Sequence, residues 1–397
     1  MNALKLWLLY LVIFTLPMYM KVNNVLLGAF VLVGFLDNLL NRRYKKGNAL
    51  FLRGLPIIGF FFLALFGAFR EFSFEGFSYL EKYWSFLLLP LVMLPDPETF
   101  RRHQKDIFLS LVWGCITTLV ICYSNVIYDM VVSNEPASYF FRWRHLGHQF
   151  TEIADTHPTY LSLFILTSIC FLAQEETVSY TFKSIVLPFL IVSLFQLASR
   201  AALVILVLLL IFILFQRVRK NKWQIAGVLF GIVFGGLLVF YYGSDYLTTR
   251  LFSAGKAFND RRVEHWEVSY DIFKANPVTG VGYQMVGPLR KEGYIKHGFE
   301  IAASEEYNAH NQFLEFLSTQ GVIGGFVYGV SLAYLFFLAV VRKDLLFSFV
   351  FFAFIMANLT ESMMVRIKGI EYFAILGTLF LCSVTSSNQV DEDIHNP

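Results

Sequence analysis

The chain has 397 residues, of which 56% are hydrophobic, 18% aromatic and only 15% charged. Soluble domains carry about 25% charged residues, so this composition excludes an ordinary soluble protein. Long continuous apolar runs recur along the chain, which also excludes the alternating pattern of a transmembrane β-barrel. The net charge of +3 says little about partners, and we expect no nucleic acid among them. We predict an all-α polytopic membrane protein.

Twelve apolar stretches have lengths that suit transmembrane helices. They cover residues 4–20, 24–40, 50–69, 79–95, 107–129, 159–174, 184–198, 201–216, 223–242, 321–341, 344–360 and 370–386. Basic residues follow the second, fourth, eighth and tenth stretches, which places those loops in the cytoplasm. Both termini are then cytoplasmic, and the long loops at 130–158 and 243–320 lie outside, in the periplasm of a cell with an inner membrane.

These stretches divide the chain into four parts. Residues 1–242 hold spans one to nine, 243–320 form the large outer loop, 321–386 hold spans ten to twelve, and 387–397 form a polar tail that we expect to be disordered.

The first helix predicted in the large loop is amphipathic. Its apolar residues recur at spacings of three and four, at Val263, Trp266, Tyr270 and Phe273. Such a stripe indicates a helix that rests on the helix bundle or on the membrane interface. We expect Asn276-Pro277 to end this helix, and Gly280 and Gly282 to form a turn after it.

A second helix is predicted at the end of the large loop. Ser304-Glu305-Glu306 is typical of a helix start, because serine caps a helix and acidic residues favour its first turn. We expect this helix to run through His310 to Gln320 and to break at Gly321, where the tenth span begins.

His310 is the strongest candidate for chemistry. A neutral imidazole, with an ordinary pKa of about 6.5, can take a proton from a hydroxyl near neutral pH. His310 also lies at the end of the largest outer loop, next to the membrane surface. The alternative is a histidine that only forms hydrogen bonds within a loop helix.

Several arginines could bind an anionic ligand on the outer side. Arg200 interrupts an apolar interval, so it lies at the interface or faces a cavity; the alternative is an interfacial anchor. Arg261 and Arg262 precede the amphipathic helix, and their planar guanidinium groups match phosphate oxygens, although such a pair is commonly a solvated face. Weaker candidates are Arg70, Arg142, Arg144 and His157.

The sequence lacks the motifs that are usual in metal-dependent sugar transferases and in ATP-driven proteins. The outer loops contain no Asp-x-Asp pair, and Asp391-Glu392-Asp393 lies in the cytoplasmic tail. His145-x-x-His148 is a conceivable metal pair, but no cysteine or clear acidic partner accompanies it. The chain also has no nucleotide-binding glycine-rich motif. We therefore expect no metal or other cofactor, and a transfer reaction would need an activated donor held in the membrane.

These residues resemble a known family. His310-Asn311, followed after nine residues by Gly321-Val322, resembles the signature of the O-antigen ligase and polymerase-like superfamily. Arg262-x-x-x-Trp266 with the proline and glycines after it, and the isolated Arg200, resemble further positions of that family. The span layout, with its main loop between spans nine and ten, is similar to the ligase branch. Gln320 is a departure, because family members often have Glu there.

The resemblance implies a metal-independent, GT-C-like membrane glycosyltransferase of the bacterial inner membrane. The donor would be a glycan on undecaprenyl diphosphate, and the acceptor a sugar hydroxyl of lipid A-core. His310 would act as general base, while Arg200 and Arg262 would hold the diphosphate, and Asn311, Gly321 and Trp266 would support the motif. From the residues themselves, we predict Arg261 and Arg70 as further diphosphate contacts, and Arg142, Arg144 and His157 as acceptor contacts.

Other functions stay open at this point. Glycan polymerases and protein O-oligosaccharyltransferases share the loop motif and differ in their acceptor. A secondary transporter is the alternative from another class, but transporters place their substrate near the midplane between paired halves. Here the polar residues are concentrated in one late outer loop, so we favour the ligase.

Overall fold

The computed structural model describes residues 1–72, 74–217, 236 and 262–395. All regular elements in these residues are helical, which confirms the all-α prediction for them. In chain order they are α1 (Asn2–Thr15), α2 (Met20–Leu40), α3 (Gly47–Glu71), α4 (Phe74–Leu80), α5 (Trp84–Met93), α6 (Pro97–Arg102), α7 (Gln104–Val132), α8 (Gly147–Thr151), α9 (Pro158–Gln174), α10 (Tyr180–Gln196), α11 (Arg200–Arg217), α12 (Arg262–Ala275), α13 (Tyr283–Lys296), α14 (Glu300–Ser304), α15 (Gln312–Val341), α16 (Leu345–Asn358) and α17 (Ile367–His395). The ninth predicted span, apart from Gly236, and residues 243–261 with Arg261 lie outside the described residues.

Five of the described helices are long and apolar enough to cross a membrane. They are Met20–Leu40, Phe51–Glu71, Gln104–Val132, Gln312–Val341 and Ile367–Thr385. A sixth span results if Gly147–Ala154 and Pro158–Gln174, which meet at 80°, are counted as one bent span. Shorter apolar helices cover four further predicted spans, at Asn2–Thr15, Tyr180–Gln196, Arg200–Ile213 and Leu345–Asn358. The helical membrane class is thus supported, while the count of twelve stays a prediction.

The chain divides into two compact units. The first comprises Met1–Lys5, Ala29–Gln104 and Asn259–Pro397, and the second comprises Leu6–Gly28 and Lys105–Phe258. The core of the first unit centres on Phe60, whose ring lies 5.0 Å from that of Phe86 and 5.7 Å from that of Phe373. In the second unit, α9 is buried along almost its whole length. The large loop from Arg262 onward and the last three helices therefore belong to the first unit.

A buried charge cluster ties the N-terminus into the first unit. Lys5 is fully buried, and its Nζ lies 2.9 Å from carboxylate oxygens of both Asp37 and Asp96. Arg43 completes the cluster, with Nη1 2.7 Å from Asp37 and 2.8 Å from Asp96. Two cations and two carboxylates thus compensate one another, which removes most of the cost of burying them.

The end of the chain differs from its prediction. Helix α17 continues to His395, so the prediction of a disordered tail is wrong for residues 387–395. The physical reason is local, because neither glycine nor proline interrupts the chain between Thr385 and His395.

Candidate functional site

Helix α15 is broken where the sequence predicts a break. Gly321 has φ 64° and ψ −157°, which is not helical. Around it, three backbone hydrogen bonds join the residues after α12 to α15 on both sides of the break. They run from Val281 N to Ser318 O at 3.1 Å, from Gly282 N to Thr319 O at 2.8 Å, and from Val322 N to Pro277 O at 2.8 Å. The predicted helix end at Asn276-Pro277 and the turn after it are confirmed.

Two glycines allow the turn after α12 to lie this close to the backbone of α15. A Cβ on Gly321 would lie 2.3 Å from the carbonyl oxygen of Val278, and one on Gly280 would lie 2.4 Å from Gln320 N. Both residues also have positive φ angles, 63° for Gly280 and 64° for Gly321. Only glycine satisfies both conditions without strain.

Arg70 and Glu71, at the end of α3, hold the turn from the other side. The guanidinium of Arg70 donates to the carbonyl oxygens of Thr279 and Gly280. Glu71 Oε1 accepts from Gln284 N at 3.1 Å. Arg70, which the sequence places among the anion ligands, is thus engaged in positioning the backbone of the loop.

His310 does not lie on a helix, so that part of the prediction is wrong. Helix α14 already ends at Ser304, and α15 starts only at Gln312. His310 lies in the connection between them, with φ 44° in the left-handed region. Asn311 is the helix cap, since its side chain accepts from Leu314 N at 3.1 Å. The cap and the left-handed residue before it separate His310 from the helix.

The central feature of the site is one carboxylate that contacts both His310 and Arg262. His310 Nδ1 lies 3.0 Å from Glu361 Oε2, and Arg262 Nη2 lies 3.1 Å from Glu361 Oε1. All three side chains are partly exposed, between 18% and 32%. A carboxylate at Nδ1 fixes that nitrogen as the donor, which leaves Nε2 as the proton acceptor. The sequence analysis missed Glu361.

Aromatic rings surround the imidazole of His310. The ring of His265 lies 5.0 Å from it and that of Tyr307 lies 5.5 Å from it, centroid to centroid. Tyr294 packs against His265 at 5.7 Å, and its hydroxyl donates to Tyr307 O at 3.1 Å. The imidazole of His310 is therefore packed among aromatic side chains.

The apolar stripe predicted on α12 is not the face of this helix that packs against Tyr294. Val268 and Ile272 are buried with Tyr294, whereas Val263 is 52% and Tyr270 48% exposed. The stripe is therefore not the face that packs on the first unit's core, and its predicted location on the bundle or at the interface stays a prediction. Trp266 belongs to the stripe but is half-buried.

The first turn of α15 holds the segment that carries Glu361. Asn311 Nδ2 donates to Leu359 O at 3.2 Å, and Gln312 Oε1 accepts from Met364 N at 2.6 Å. Together they clamp the two ends of the 359–364 segment. The motif residue Asn311 thus acts twice, as a helix cap and as a clamp for the carboxylate.

Glu315 links both partners of the central pair to a buried arginine. It accepts from Ala309 N at 3.1 Å, beside His310, and from Ser362 Oγ at 3.5 Å, beside Glu361. Arg290 Nη2 lies 3.0 Å from Glu315 Oε1. Arg290 is only 4% and Glu315 8% exposed, so this ion pair is part of the core of the site.

The other candidate residues lie in the second unit. Arg200 is the first residue of α11. Arg142 lies over the ring of Tyr139, and Arg144 Nη1 lies 3.8 Å from Glu135 Oε1. The structure thus brings together His310 and Arg262 in the first unit, with Arg70 at its turn, and places Arg200, Arg142, Arg144 and His157 in the second.

His157 has a structural role in the second unit. Its Nδ1 accepts from Thr159 N at 3.3 Å, which caps α9. Its ring lies 5.9 Å from that of His148. Across the residues that the structure describes, no group of three or more His, Cys, Asp or Glu side chains could hold a metal. The expectation of a reaction without metal stays a prediction.

The geometry defines a helical membrane protein with a histidine–carboxylate pair beside an arginine. Residues 185–329 match the family model described as O-Antigen ligase. This segment carries Arg200, Arg262, His310 and Gly321, and the match confirms the resemblance to the O-antigen ligase and polymerase-like superfamily. The family implies an enzyme of the glycosyltransferase or ligase type. Glu361 lies beyond the matched segment. No curated protein matches the chain.

Proposed function

We propose that this protein is an O-antigen ligase-type glycosyltransferase. It would move a glycan from undecaprenyl diphosphate to a sugar hydroxyl of lipid A-core at the periplasmic face of the bacterial inner membrane. The observation that carries the proposal is the contact of Glu361 with both His310 and Arg262, because it joins a proton acceptor to a phosphate-binding cation. The family match over residues 185–329 supports the reaction class.

The chemistry would begin at Nε2 of His310. This nitrogen takes the proton of the acceptor hydroxyl as its oxygen attacks the anomeric carbon of the donor sugar. Glu361 keeps Nδ1–H as a donor and stabilises the imidazolium that forms. The bond between the anomeric carbon and the diphosphate oxygen breaks, and its electron pair leaves with the diphosphate. The proton then passes from His310 to solvent or to the departing diphosphate.

Arginines would stabilise the leaving group. Arg262 lies beside the proton acceptor, and Arg200 and Arg261 would add further cations to the diphosphate. A guanidinium binds phosphate oxygens through two parallel N–H groups, which gives both charge and orientation. In this proposal these cations take the place that a divalent metal has in other sugar transferases.

Reconstitution in the presence of a chelator tests the proposal. The purified protein is combined with an undecaprenyl-diphosphate glycan and lipid A-core, and the joined product is measured. His310→Ala should lower the rate about 10²- to 10⁴-fold, the usual contribution of a general base. His297→Ala is the matched control, since His297 lies at the exposed end of α13 in the same loop. Full activity in His310→Ala would exclude the proposed base.

The same assay separates the other members of the superfamily. Lipid A-core, a growing glycan and a protein are offered in parallel as acceptors, and the product identifies a ligase, a polymerase or a protein O-oligosaccharyltransferase. Movement of a glycan across vesicles without any new glycosidic bond would instead indicate a transporter.

A further inference from the structure

The first unit contains a cavity of about 720 Å³ that borders the segment carrying His310. Its wall includes Tyr307 and Asn308, which come just before Ala309-His310. Asn308 Oδ1 accepts from the backbone N–H of His310 at 2.8 Å, so the cavity wall is bonded to the backbone of the segment that carries His310. Ligand pockets in proteins commonly measure about 300–1,000 Å³, so this cavity has room for a small ligand.

Tyrosines form one wall of the cavity. The rings of Tyr79 and Tyr283 stack at 5.1 Å, and the ring of Tyr83 lies 6.0 Å from that of Tyr283. Tyrosine offers an apolar ring face together with a hydroxyl that forms hydrogen bonds. This combination suits a sugar ring, which has apolar C–H faces and a rim of hydroxyl groups.

The charged residues of the wall are unbalanced in favour of cations. Four basic side chains and two acidic ones line the cavity, at Lys82, Arg290, Lys291, Arg366, Glu306 and Glu315. Both carboxylates are paired, because Glu315 lies 3.0 Å from Arg290 and Glu306 lies 2.7 Å from Lys291. Among the interactions within the described ranges, Lys82 and Arg366 have no carboxylate partner, and Lys82 Nζ lies 4.5 Å from the centre of the Tyr79 ring. They leave a surplus of two positive charges facing the cavity.

A buried nitrogen of Arg290 is a second indication that the cavity binds a ligand. The residue is only 4% exposed and lines the cavity. Its Nη2 is used by Glu315 and Ser318, whereas its buried Nε has no hydrogen-bond acceptor in the described part of the chain. A buried donor of this kind is uncommon in folded proteins and marks a place for an acceptor atom.

We propose that this cavity binds an acidic saccharide, meaning a sugar that carries a phosphate or a carboxylate group. The tyrosines pack on the sugar ring, and Lys82 and Arg366 bind its anionic group. The participation of this saccharide in glycan transfer rests on the proposed function, but its binding does not. Because the cavity borders the segment that carries His310, the saccharide would be a part of the acceptor or of the donor glycan.

Binding is tested first, without any transfer. Saturation-transfer NMR on the full chain in neutral detergent compares glucose 6-phosphate and glucuronic acid with glucose. We expect both acidic sugars to bind more tightly than glucose. Lys82→Gln and Arg366→Gln should each weaken the acidic sugars roughly tenfold and leave glucose unchanged, because each removes a charged hydrogen bond. Lys296→Gln is the matched control, an exposed lysine of α13 outside the cavity wall.

Equal binding of glucose and the acidic sugars would overturn the proposal, as would unchanged binding in both cavity variants. His310→Ala should retain the binding, which separates the cavity from the proton acceptor. If the acidic sugars bind but no transfer occurs with any acceptor, the proposed function fails and the binding site stands.

Transfer assays then identify the source of the saccharide. A higher KM for the acceptor in Arg366→Gln, which disappears when the acceptor is dephosphorylated, assigns the cavity to the acceptor. A higher KM for an acidic donor glycan, with the acceptor KM unchanged, assigns it to the donor. Unchanged KM values for both substrates would overturn the role of the bound saccharide in transfer.

Discussion

Nδ1 of His310 lies 3.0 Å from Oε2 of Glu361, although 51 residues separate them in the chain. The contact forms because His310 comes just before α15 and Glu361 comes just after α16. These two helices are joined by a short connection between Val341 and Leu345 and pack against each other. The start of α15 meets the segment after α16, where Asn311 Nδ2 donates to Leu359 O and Gln312 Oε1 accepts from Met364 N, and these contacts bring the two side chains together.

Loss of the carboxylate charge should impair the reaction without unfolding the protein. Glu361→Gln keeps the shape of the side chain but no longer stabilises an imidazolium at His310 and no longer pairs with Arg262. We expect a fall in kcat of roughly 10²-fold or more. Glu292→Gln, at an exposed position of α13, is the control with the same change of charge. Equal rates for the two variants would show that Glu361 does not assist the base.

Gly321 should tolerate no side chain. Gly321→Ala places a Cβ against the carbonyl of Val278 and forces alanine into a positive φ. The backbone strain alone should lower the free energy of unfolding by about 1–3 kcal/mol, visible as a lower thermal midpoint in detergent. Gly329→Ala, in the same helix, has no atom within 4 Å of the new Cβ and should not lower that midpoint. A similar loss of stability in both variants would show that the close approach of Val278 to Gly321 does not require glycine.

The buried pair of Arg290 and Glu315 should behave as a unit. Arg290→Met leaves the Glu315 carboxylate buried without its cation and should cost about 3–5 kcal/mol of stability. The double variant Arg290→Met with Glu315→Leu should recover part of that loss. Thermal unfolding of the single and double variants measures the coupling. Lys291→Met removes an exposed pair and should leave stability unchanged; additive losses in the buried pair would exclude the coupling.

Tyr294 should make the free energy of unfolding depend on pH, but only in the alkaline range between about pH 10 and 12. Burial raises the pKa of Tyr294 to about 12, above the value of about 10 for an unfolded tyrosine. The folded state therefore holds this proton more tightly, so its stabilising effect is complete below pH 10 and is lost as pH rises toward 12. Tyr294→Phe should flatten the fall of the unfolding midpoint across this interval. Tyr270→Phe, at an exposed tyrosine, should not; identical profiles for the two would refute the assignment.

Much of the local structure was predictable because it depends on residues close in sequence. Asn276-Pro277 ends α12, and Gly321 breaks α15, since these residues restrict or free the backbone wherever they occur. The start of α15 was predicted seven residues too early or more, because Ser304 and Asn311 are both good caps. The sequence alone does not show that a left-handed residue, His310, lies between them.

The pairing of distant side chains was not predictable in the same way. In the sequence, Glu361 is the polar end of an apolar span and Arg290 is one charge among many in the loop, so neither stands out. One signal was available for Glu361, because the predicted topology puts the end of the eleventh span on the same side of the membrane as His310. Arg290 gave no such signal, since only packing shows that it is buried against Glu315.

The break at Gly321 has a consequence for the behaviour of the protein in different lipids. A transmembrane helix adapts to a thicker or thinner bilayer by changing its tilt. In α15 the residues on both sides of the break are hydrogen-bonded to the turn at Pro277–Gly282, Ser318 and Thr319 before it and Val322 after it. A change of tilt in the apolar half therefore also acts on this turn, and through it on the polar half that His310 precedes.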